Sequence, residues 1–503
     1  SWFHAKVCIV TGIGFFTDVY DIFAIDIAIT ILGYIYGTRD STTGSILNSN
    51  QELGIKVATP IGTLIGQLIF SWLADIFSCK WICHVELVVM IIATFAQVLS
   101  GNADSVSVTG ALIVWQFIMS YSSEGGDYPL STVISSEFAS IRIWGRMMTT
   151  VFSFQGWENL GNFIVTSSYK DAILNSPPTA HVDIIDPMWC LLIGLGCIPG
   201  VIALYFQLTI PETPQFIMDI ECNIQKASFD IEAAISGSNK MNTNAGIQHV
   251  DIPKATWQDF ISYFHKWKNF KILLSTAFPW SLLDVTFYGL NLNTSTILKA
   301  ISFGLLPANG AQTVYDNLHN ISVGHLILAA AGLIPSYLMS FLFIDSWGHK
   351  PIQLMGFTIL TILFMIMGFG FDKFKDAGAP SKAFVFLYCL ANFFSNFGPN
   401  MTTFIFPGGV FPTRYRSTGH GISAASGKLG AIISQFGFAK LKDCGGTDKF
   451  VKHILEIFAL FMLTGIFSTL LLPETKNRTL EELSNEDQDS FVRGPRGPNY
   501  IFG

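Results

Sequence analysis

Along this chain apolar residues gather into runs of about 20 or more, the length at which a helix crosses the hydrocarbon core of a bilayer. Six runs lie near 6–37, 54–74, 81–101, 107–136, 143–168 and 188–210, and six more near 270–304, 321–344, 351–371, 382–411, 417–439 and 451–472. A polar stretch separates the two sets and carries Lys226, Asp230, Glu232, Lys240, Asp251 and Lys254. Its portion 236–246, rich in Ser, Asn and Gly, reads as a flexible linker. The pattern predicts an all-α membrane protein of 12 transmembrane helices. Two six-helix halves, 1–211 and 269–473, are expected, with a central loop over 212–268 and a tail over 474–503.

Several runs are interrupted by charge. Asp21, Asp127 and Asp284 sit inside three of them, and Lys428 sits inside a fourth. A charge at the bilayer centre costs roughly 2.5–3.5 kcal/mol even on lenient insertion scales. Such residues persist where they face a polar pathway. Three acids and one base at membrane depth point to a carrier that moves an anion together with protons.

Composition agrees with the pattern. Half of the 503 residues are hydrophobic, only 13% are charged, and the mean hydropathy is +0.45. Ordinary soluble domains run near 25% charged. The net charge of −7 argues against nucleic-acid binding, which wants a basic face. The eight cysteines are scattered, and Cys79 and Cys83 lack the companion ligands of a zinc site, so no metal or cofactor is expected. No cleavable signal segment is visible, and a start at Ser1 without Met leads one to expect preceding residues.

Within the runs, polar residues fall at helical spacing. Trp280, Asp284 and Tyr288 are spaced i, i+4, i+8 and share one face of the seventh span. The fourth span contains Gly125-Gly-Asp-Tyr-Pro-Leu-Ser131, where adjacent Asp127 and Tyr128 point in different directions. The first contains Gly14-Phe-Phe-Thr-Asp-Val-Tyr-Asp-Ile-Phe23, in which Asp18 and Asp21 roughly share a face, with Asp26 further on. One of these acids caps or pairs, and Asp21 is favoured as the titrating one. Glu86 lies in the third span, Gln155 in the fifth, Asn396 and Asn400 in the tenth, and Lys428 in the eleventh.

The halves echo each other. Leu73-Ala-Asp-Ile-Phe-Ser-Cys-Lys80 follows the second span and Phe343-Ile-Asp-Ser-Trp-Gly-His-Lys350 the eighth; Pro211-Glu-Thr-Pro214 closes the sixth and Pro473-Glu-Thr475 the twelfth. An acid and a base at such a junction can bond the ends of helices and latch them in one conformation. The expected gate residues are Asp75, Lys80, Asp345, Lys350, Arg414, Arg416, Glu212 and Glu474. An even number of spans puts both termini on one side. Counting Lys and Arg in the short loops does not decide which, and only the central loop and the tail tip the balance inward.

These stretches resemble the fungal and plant phosphate:proton symporters of the major facilitator superfamily. The resemblance runs through 14–23, 125–131, 284–293, 396–404, 411–421 and 427–430, and so covers the membrane portion. It implies a high-affinity importer in the plasma membrane, with both termini cytoplasmic. It implies that phosphate is held by Tyr128, Gln155, Trp280, Asp284, Tyr288, Asn400 and Lys428, and that protons travel by Asp21, Glu86 and Asp127. The chemistry suits the task. Lys428 is a compact point charge, and the indole, phenol and amide groups are directed donors. Asp284 beside an anion can carry a proton or accept a hydrogen bond from a protonated phosphate oxygen, which couples the two cargoes.

The chain also departs from that family's pattern. Gln116 and Phe117 stand where an arginine is usual, Ser120-Tyr-Ser-Ser-Glu124 replaces a glycine-rich run, Gln215 replaces an arginine, and Gly409 replaces a glutamate. Because several of these positions normally pair acid with base at the gate, a phosphate-sensing receptor with weak transport stays open. So does a carrier of another anion or of a sugar. A membrane enzyme finds no support, since no nucleophile–base arrangement can be read.

Overall fold

The structure is a computed structural model that describes residues 2–40, 44–77, 79–100, 107–138, 143–174, 181–207, 257–301, 303, 311–375, 378–412, 415–446, 448–476 and 478. Twelve long helical rods account for most of the described residues. The N-terminal half has Trp2–Tyr36, Ser49–Phe77, Cys79–Val98 and Val108–Phe138. Its fifth rod runs from Trp144–Ser153 to Glu158–Ser168, and its sixth from His181–Gly194 to Cys197–Gln207. The C-terminal half begins with Trp267–Asn291 and an eighth rod that runs from Ala311–Leu328 to Ile334–Trp347. It continues with His349–Phe369, a tenth rod of Ala379–Ser395 and Met401–Val410, Arg416–Leu441 and Val451–Leu470. The rods fall on the twelve expected spans, six to a half. The polar stretch 208–256 and residues 479–503 lie outside the described residues.

Four differences have local causes. The fifth span is interrupted by a tight 3-10 turn, Phe154–Trp157, which places the Gln155 side chain in the interior. The tenth is broken at Asn396–Asn400, where Pro399 lacks an N–H and Phe397 takes ψ 43°. The seventh ends at Asn291, and Thr294–Ala300 forms a separate short helix after it. Part of the expected central loop is a helix, Trp257–His265, leading directly into the seventh rod. A two-stranded antiparallel ribbon, β1 (Thr38–Asp40) and β2 (Gly44–Ile46), joins the first two rods.

Among the described residues, six helical stretches each contain a run of 18 residues apolar enough to cross a membrane on that ground alone. As far as they are described, the third, fourth, fifth, seventh, tenth and eleventh rods fall short of that standard. They bury Glu86, Asp127, Gln155, Asp284, Asn396, Asn400 and Lys428, whereas the first rod meets it and still buries Asp18, Asp21 and Asp26. Their polarity is turned inward, as expected where a membrane helix lines a pathway.

The second rod lies along both the fourth and the eleventh, and the fifth packs on the eighth, so the halves meet along two seams. Between the seams the centre is filled by rings. Phe15, Phe152 and Phe404 are fully buried and stand 4.8–5.5 Å apart, centroid to centroid.

Candidate functional site between the halves

The substrate set expected from sequence divides into two groups. The first gathers on Lys428. Its ammonium donates to the Tyr288 hydroxyl and lies 4.2 Å from the centre of that ring and 5.1 Å from the Tyr128 ring. The Tyr128 ring is 6.5 Å from Trp280 and 4.5 Å from Phe15. Asp284 enters through backbone geometry. A β-carbon on Gly427 would come within 2.6 Å of Trp280 Cδ1 and 2.7 Å of Asp284 Oδ2, so the glycine before Lys428 lets the seventh and eleventh rods touch at this level. All five side chains are at least nine-tenths buried. One cation, one carboxyl, two phenols and an indole N–H thus converge where the halves meet.

The second group is a chain of amides. Gln155 donates to the Tyr337 hydroxyl at 2.5 Å, Tyr337 donates to Asn396 Oδ1 at 2.8 Å, and Asn400 donates to the same oxygen at 2.7 Å. It borders the first group across Phe152, whose ring lies 6.3 Å from Tyr128 and 6.1 Å from Tyr337. Tyr337 is the member sequence reasoning missed. It sits in an apolar span, and only its contact with Gln155 across the seam gives it meaning.

The carboxyl groups expected to carry protons also divide. Asp127 shares a hydrogen bond with Asp18, and Glu86 faces both. Ser123 donates to Asp18, and Ser122 bonds the Glu86 backbone carbonyl at 2.8 Å. The serines of 120–124, a departure from the family pattern, thus brace this cluster. Gly126 is required here, because a β-carbon on it would overlap the Glu86 carboxyl. Asp21 stands apart and accepts from Thr94 at 3.2 Å on the third rod. Asp18, passed over in favour of Asp21, is therefore the first-rod acid that joins Asp127 and Glu86. Gln116, in the place of the usual arginine, donates to Thr59 at 3.1 Å.

At the end of the bundle where the first rod begins and the twelfth finishes, here the terminus side, the repeated aspartates cross between halves. Asp75 accepts from the backbone N–H groups of Ser417 and Thr418 at 3.1 and 2.8 Å, at the start of the eleventh rod. Asp345 accepts from those of Gly145 and Arg146 at 3.0 and 3.3 Å, at the start of the fifth. Each half's aspartate therefore caps a helix of the other half, where unpaired N–H groups and the helix dipole favour an anion. Glu474 caps the ninth rod at His349 and Lys350, and Lys350 Nζ donates to the carbonyls of Leu470 and Leu472. The buried Arg416 donates to Phe411 O at 3.3 Å. Glu212, Arg414 and the Lys80 side chain lie outside the described residues.

The opposite, far side is closed as well. Asp26 of the first rod meets Ser295 and His325 of the other half, and Lys56 of the second rod meets Asn293. Neither Lys56 nor His325 carried a sequence signal beyond being a single polar residue near the end of a span. The halves are thus bonded to each other on both sides of the Lys428 cluster.

Comparison with known proteins adds a family and a fold. Residues 7–486 match the family described as Sugar (and other) transporter. The chain is 42% identical to the repressible high-affinity phosphate permease of Neurospora crassa, over 97% of this chain and 87% of that protein. It is also 42% identical to the inorganic phosphate transporter PHO84 of Saccharomyces cerevisiae, over 98% and 86%. The low affinity inorganic phosphate transporter 4 of Lotus japonicus matches at 33%, over 99% and 95%. Among solved structures, the major facilitator superfamily proton:xylose symporter XylE superimposes with a TM-score of 0.71 at 18% identity, covering 96% of this chain and 99% of that one.

Proposed function

The chain belongs to the Sugar (and other) transporter family and, within it, to the group of fungal and plant inorganic phosphate transporters, and from that premise we propose that it imports inorganic phosphate with protons by alternating access. In this reading the terminus side faces the cytoplasm, the far side faces the outside, and the membrane is the plasma membrane.

The observation that carries the reading is the Lys428 cluster: a buried ammonium held against two tyrosines, with Asp284 and Trp280 beside it, where the halves meet. A buried cation in this setting invites an anion. Phosphate entering between the halves takes the ammonium from the Tyr288 hydroxyl, and Tyr128, Tyr288 and Trp280 then donate to its oxygens. Asp284 rejects a fully ionised phosphate unless one of the two carries a proton between them, so proton and phosphate arrive together. The Gln155–Tyr337–Asn396–Asn400 chain offers further donors once the Phe152 and Phe404 rings shift.

Asp18, Glu86 and Asp127 are the proton store. Three buried carboxyls at close quarters cannot all carry charge, so a proton resides among them. The membrane potential makes such a store necessary. Bringing a monoanion into an inside-negative cell costs about 2.3 kcal/mol per 100 mV. One accompanying proton makes the cycle neutral, and a second turns the potential in favour of uptake. Asp75 and Asp345 bind the halves together at the cytoplasmic mouth while phosphate loads, and Lys350, Arg416 and Glu474 fix helix ends of the C-terminal half beside them.

The test is radiolabelled phosphate uptake into proteoliposomes under an imposed inward proton gradient, for the parent and for Asp284→Asn. Gradient-driven uptake that the substitution abolishes is the expected result. Uptake indifferent to the gradient overturns the coupling, and binding without uptake makes the protein a receptor.

A further inference from the structure

The stretch that leads into the seventh rod carries an apolar and basic surface that the substrate cluster does not use. The short helix Trp257–His265 meets Trp267–Asn291 at Lys266, whose extended backbone (φ −70°, ψ 120°) turns the chain between them. Around the short helix the side chains divide into three sectors. Asp259, Phe260 and Phe264 face the bundle. The Tyr415 hydroxyl donates to Asp259, the Phe260 ring lies 5.4 Å from that of Tyr415, and the Phe264 ring lies 6.1 Å from that of Phe411. Gln258 and Ser262 stand exposed on the opposite side. Between these two sectors Trp257 and Ile261, one turn apart, remain 65% and 50% exposed.

The same surface continues along the seventh rod. Trp267, Phe270, Lys271, Leu274 and Phe278 are spaced i, i+3, i+4, i+7 and i+11, so they share one face, and all five are exposed. In a helix that crosses a bilayer, the outward apolar face of the later turns meets the acyl chains. That fixes the level of the turns before it. Trp267 and Lys271 then stand where acyl chains give way to headgroups, the usual depth of an indole and of a lysine that reaches outward along its own stem. The Asn269 side-chain amide donates to the carbonyl of Tyr263 at 2.9 Å and pins the short helix to the rod at this level. Lys266, Lys268 and Lys271 are all exposed, and the sole acid among residues 257–271, Asp259, is buried and holds Tyr415.

We propose that the helix Trp257–His265 and the first turns of the seventh rod form a docking surface for anionic phospholipid of the terminus-side leaflet. Trp257, Ile261 and Trp267 enter the boundary between acyl chains and headgroups, and Lys266 and Lys271 pair with the acidic headgroups. An exposed apolar strip that continues the bilayer-facing side of a spanning helix, and is edged by bases, matches that leaflet in both depth and charge.

Docking also reaches into the bundle. Tyr415 immediately precedes Arg416–Leu441, and Asp75 of the other half caps that rod at Ser417 and Thr418. A helix held by lipid keeps Tyr415 in place through Asp259 and Phe260, and with it the rod start that Asp75 grips. Anionic lipid on this side therefore stabilises the closed terminus-side mouth.

The surface lies apart from the substrate cluster and its test needs no transport, so it and the transport reading can fail separately. Backbone hydrogen exchange over 257–265 and 415–420 is followed in the purified protein in nanodiscs of phosphatidylcholine, alone or with a third of it replaced by phosphatidylserine. A basic side chain near an anionic surface strengthens docking by about fivefold. Protection over 257–265 should therefore rise roughly tenfold in the parent on going to the anionic discs, and protection over 415–420 should rise with it. The rise should fall to about a third or less in Lys266→Gln/Lys271→Gln, return in Lys266→Arg/Lys271→Arg, and shrink in high salt. No response to anionic lipid in the parent overturns the proposal and leaves the surface to a protein partner or to another part of this chain. An equal response in the glutamine variant also overturns it. So does the same response to millimolar inorganic phosphate in neutral discs, which would make the bases a site for the free anion. A response confined to 257–265 overturns the link to the mouth.

Discussion

The two mouths of this bundle are shut by different chemistry. On the terminus side, Asp75 and Asp345 occupy matching places in the two halves, and each accepts backbone N–H groups at the start of a helix in the other half. Among the described residues the far side shows no such repeat. There a single buried hub, Asp26, collects Ser295, His325 and Lys56, with Glu52 and Asn293 attached. A helix-capping carboxylate is worth roughly 0.3–2 kcal/mol and can be made and broken in every cycle. A buried ion network is dearer to break, since losing one partner strands a charge away from water. The terminus side thus carries the same cap in both directions, whereas the described far-side contacts all converge on one aspartate.

That contrast can be broken by substitution. The largest effect should come from Lys56→Met, which leaves Asp26 and Glu52 without their shared cation. Removing one partner of a buried pair typically costs about 3–5 kcal/mol. The expected outcome is a fall in melting temperature in detergent, with far-side residues such as Ile321 becoming labelled after replacement by cysteine. An unchanged melting temperature would mean that the network is decorative.

Next in size are Asp75→Asn and Asp345→Asn, each expected to weaken terminus-side closure by about 1 kcal/mol, with the double variant close to their sum because the two caps sit on different helices. Cysteine accessibility from the terminus side measures this directly. Strong non-additivity would mean that the two caps act as one latch.

The smallest effect belongs to Asp372, outside the spans. A hydrogen bond from Lys452 at 2.9 Å, joined by Lys375 at 3.4 Å, holds its carboxyl below the ordinary range. A group depressed in the folded state stabilises above its unfolded value, about 3.9 for aspartate, and loses that contribution as pH falls through the lower folded value. Asp372→Asn should therefore lower the melting temperature by no more than about 2 °C at neutral pH, since the pair is exposed. The difference should shrink only in strong acid. A larger shift at pH 7 would give this surface pair a part in far-side closure.

Much of the fold was legible because its signal is long. Twelve runs near 20 residues cannot easily be mistaken, and the twelve rods fall on them. The breaks inside the fifth and tenth rods, and the end of the seventh at Asn291, were not legible, because a helix carrying Pro399 or Gly156 can bend or continue according to its neighbours. In the site, Trp280, Asp284 and Tyr288 read as one face because their spacing lies within one helix. The choice between Asp18 and Asp21 could not be made that way. Three residues apart, they point to neighbouring sectors, and only the placement of Asp127 and Glu86 beside Asp18, and of Thr94 beside Asp21, separates them. Gln155 and Asn400 were expected with Lys428, but their amides are spent on Tyr337 and Asn396. Lys56 and His325 acquire meaning only across the seam between the halves, which no local pattern encodes.

The central claim is that Lys428 holds inorganic phosphate between the halves, and calorimetric titration of the purified protein with phosphate tests it most directly, comparing the parent with Lys428→Met. The account predicts saturable binding in the parent and a loss of at least about tenfold in affinity, 1.4 kcal/mol, in the variant. Equal affinity in the two proteins would contradict it and move the phosphate site away from Lys428.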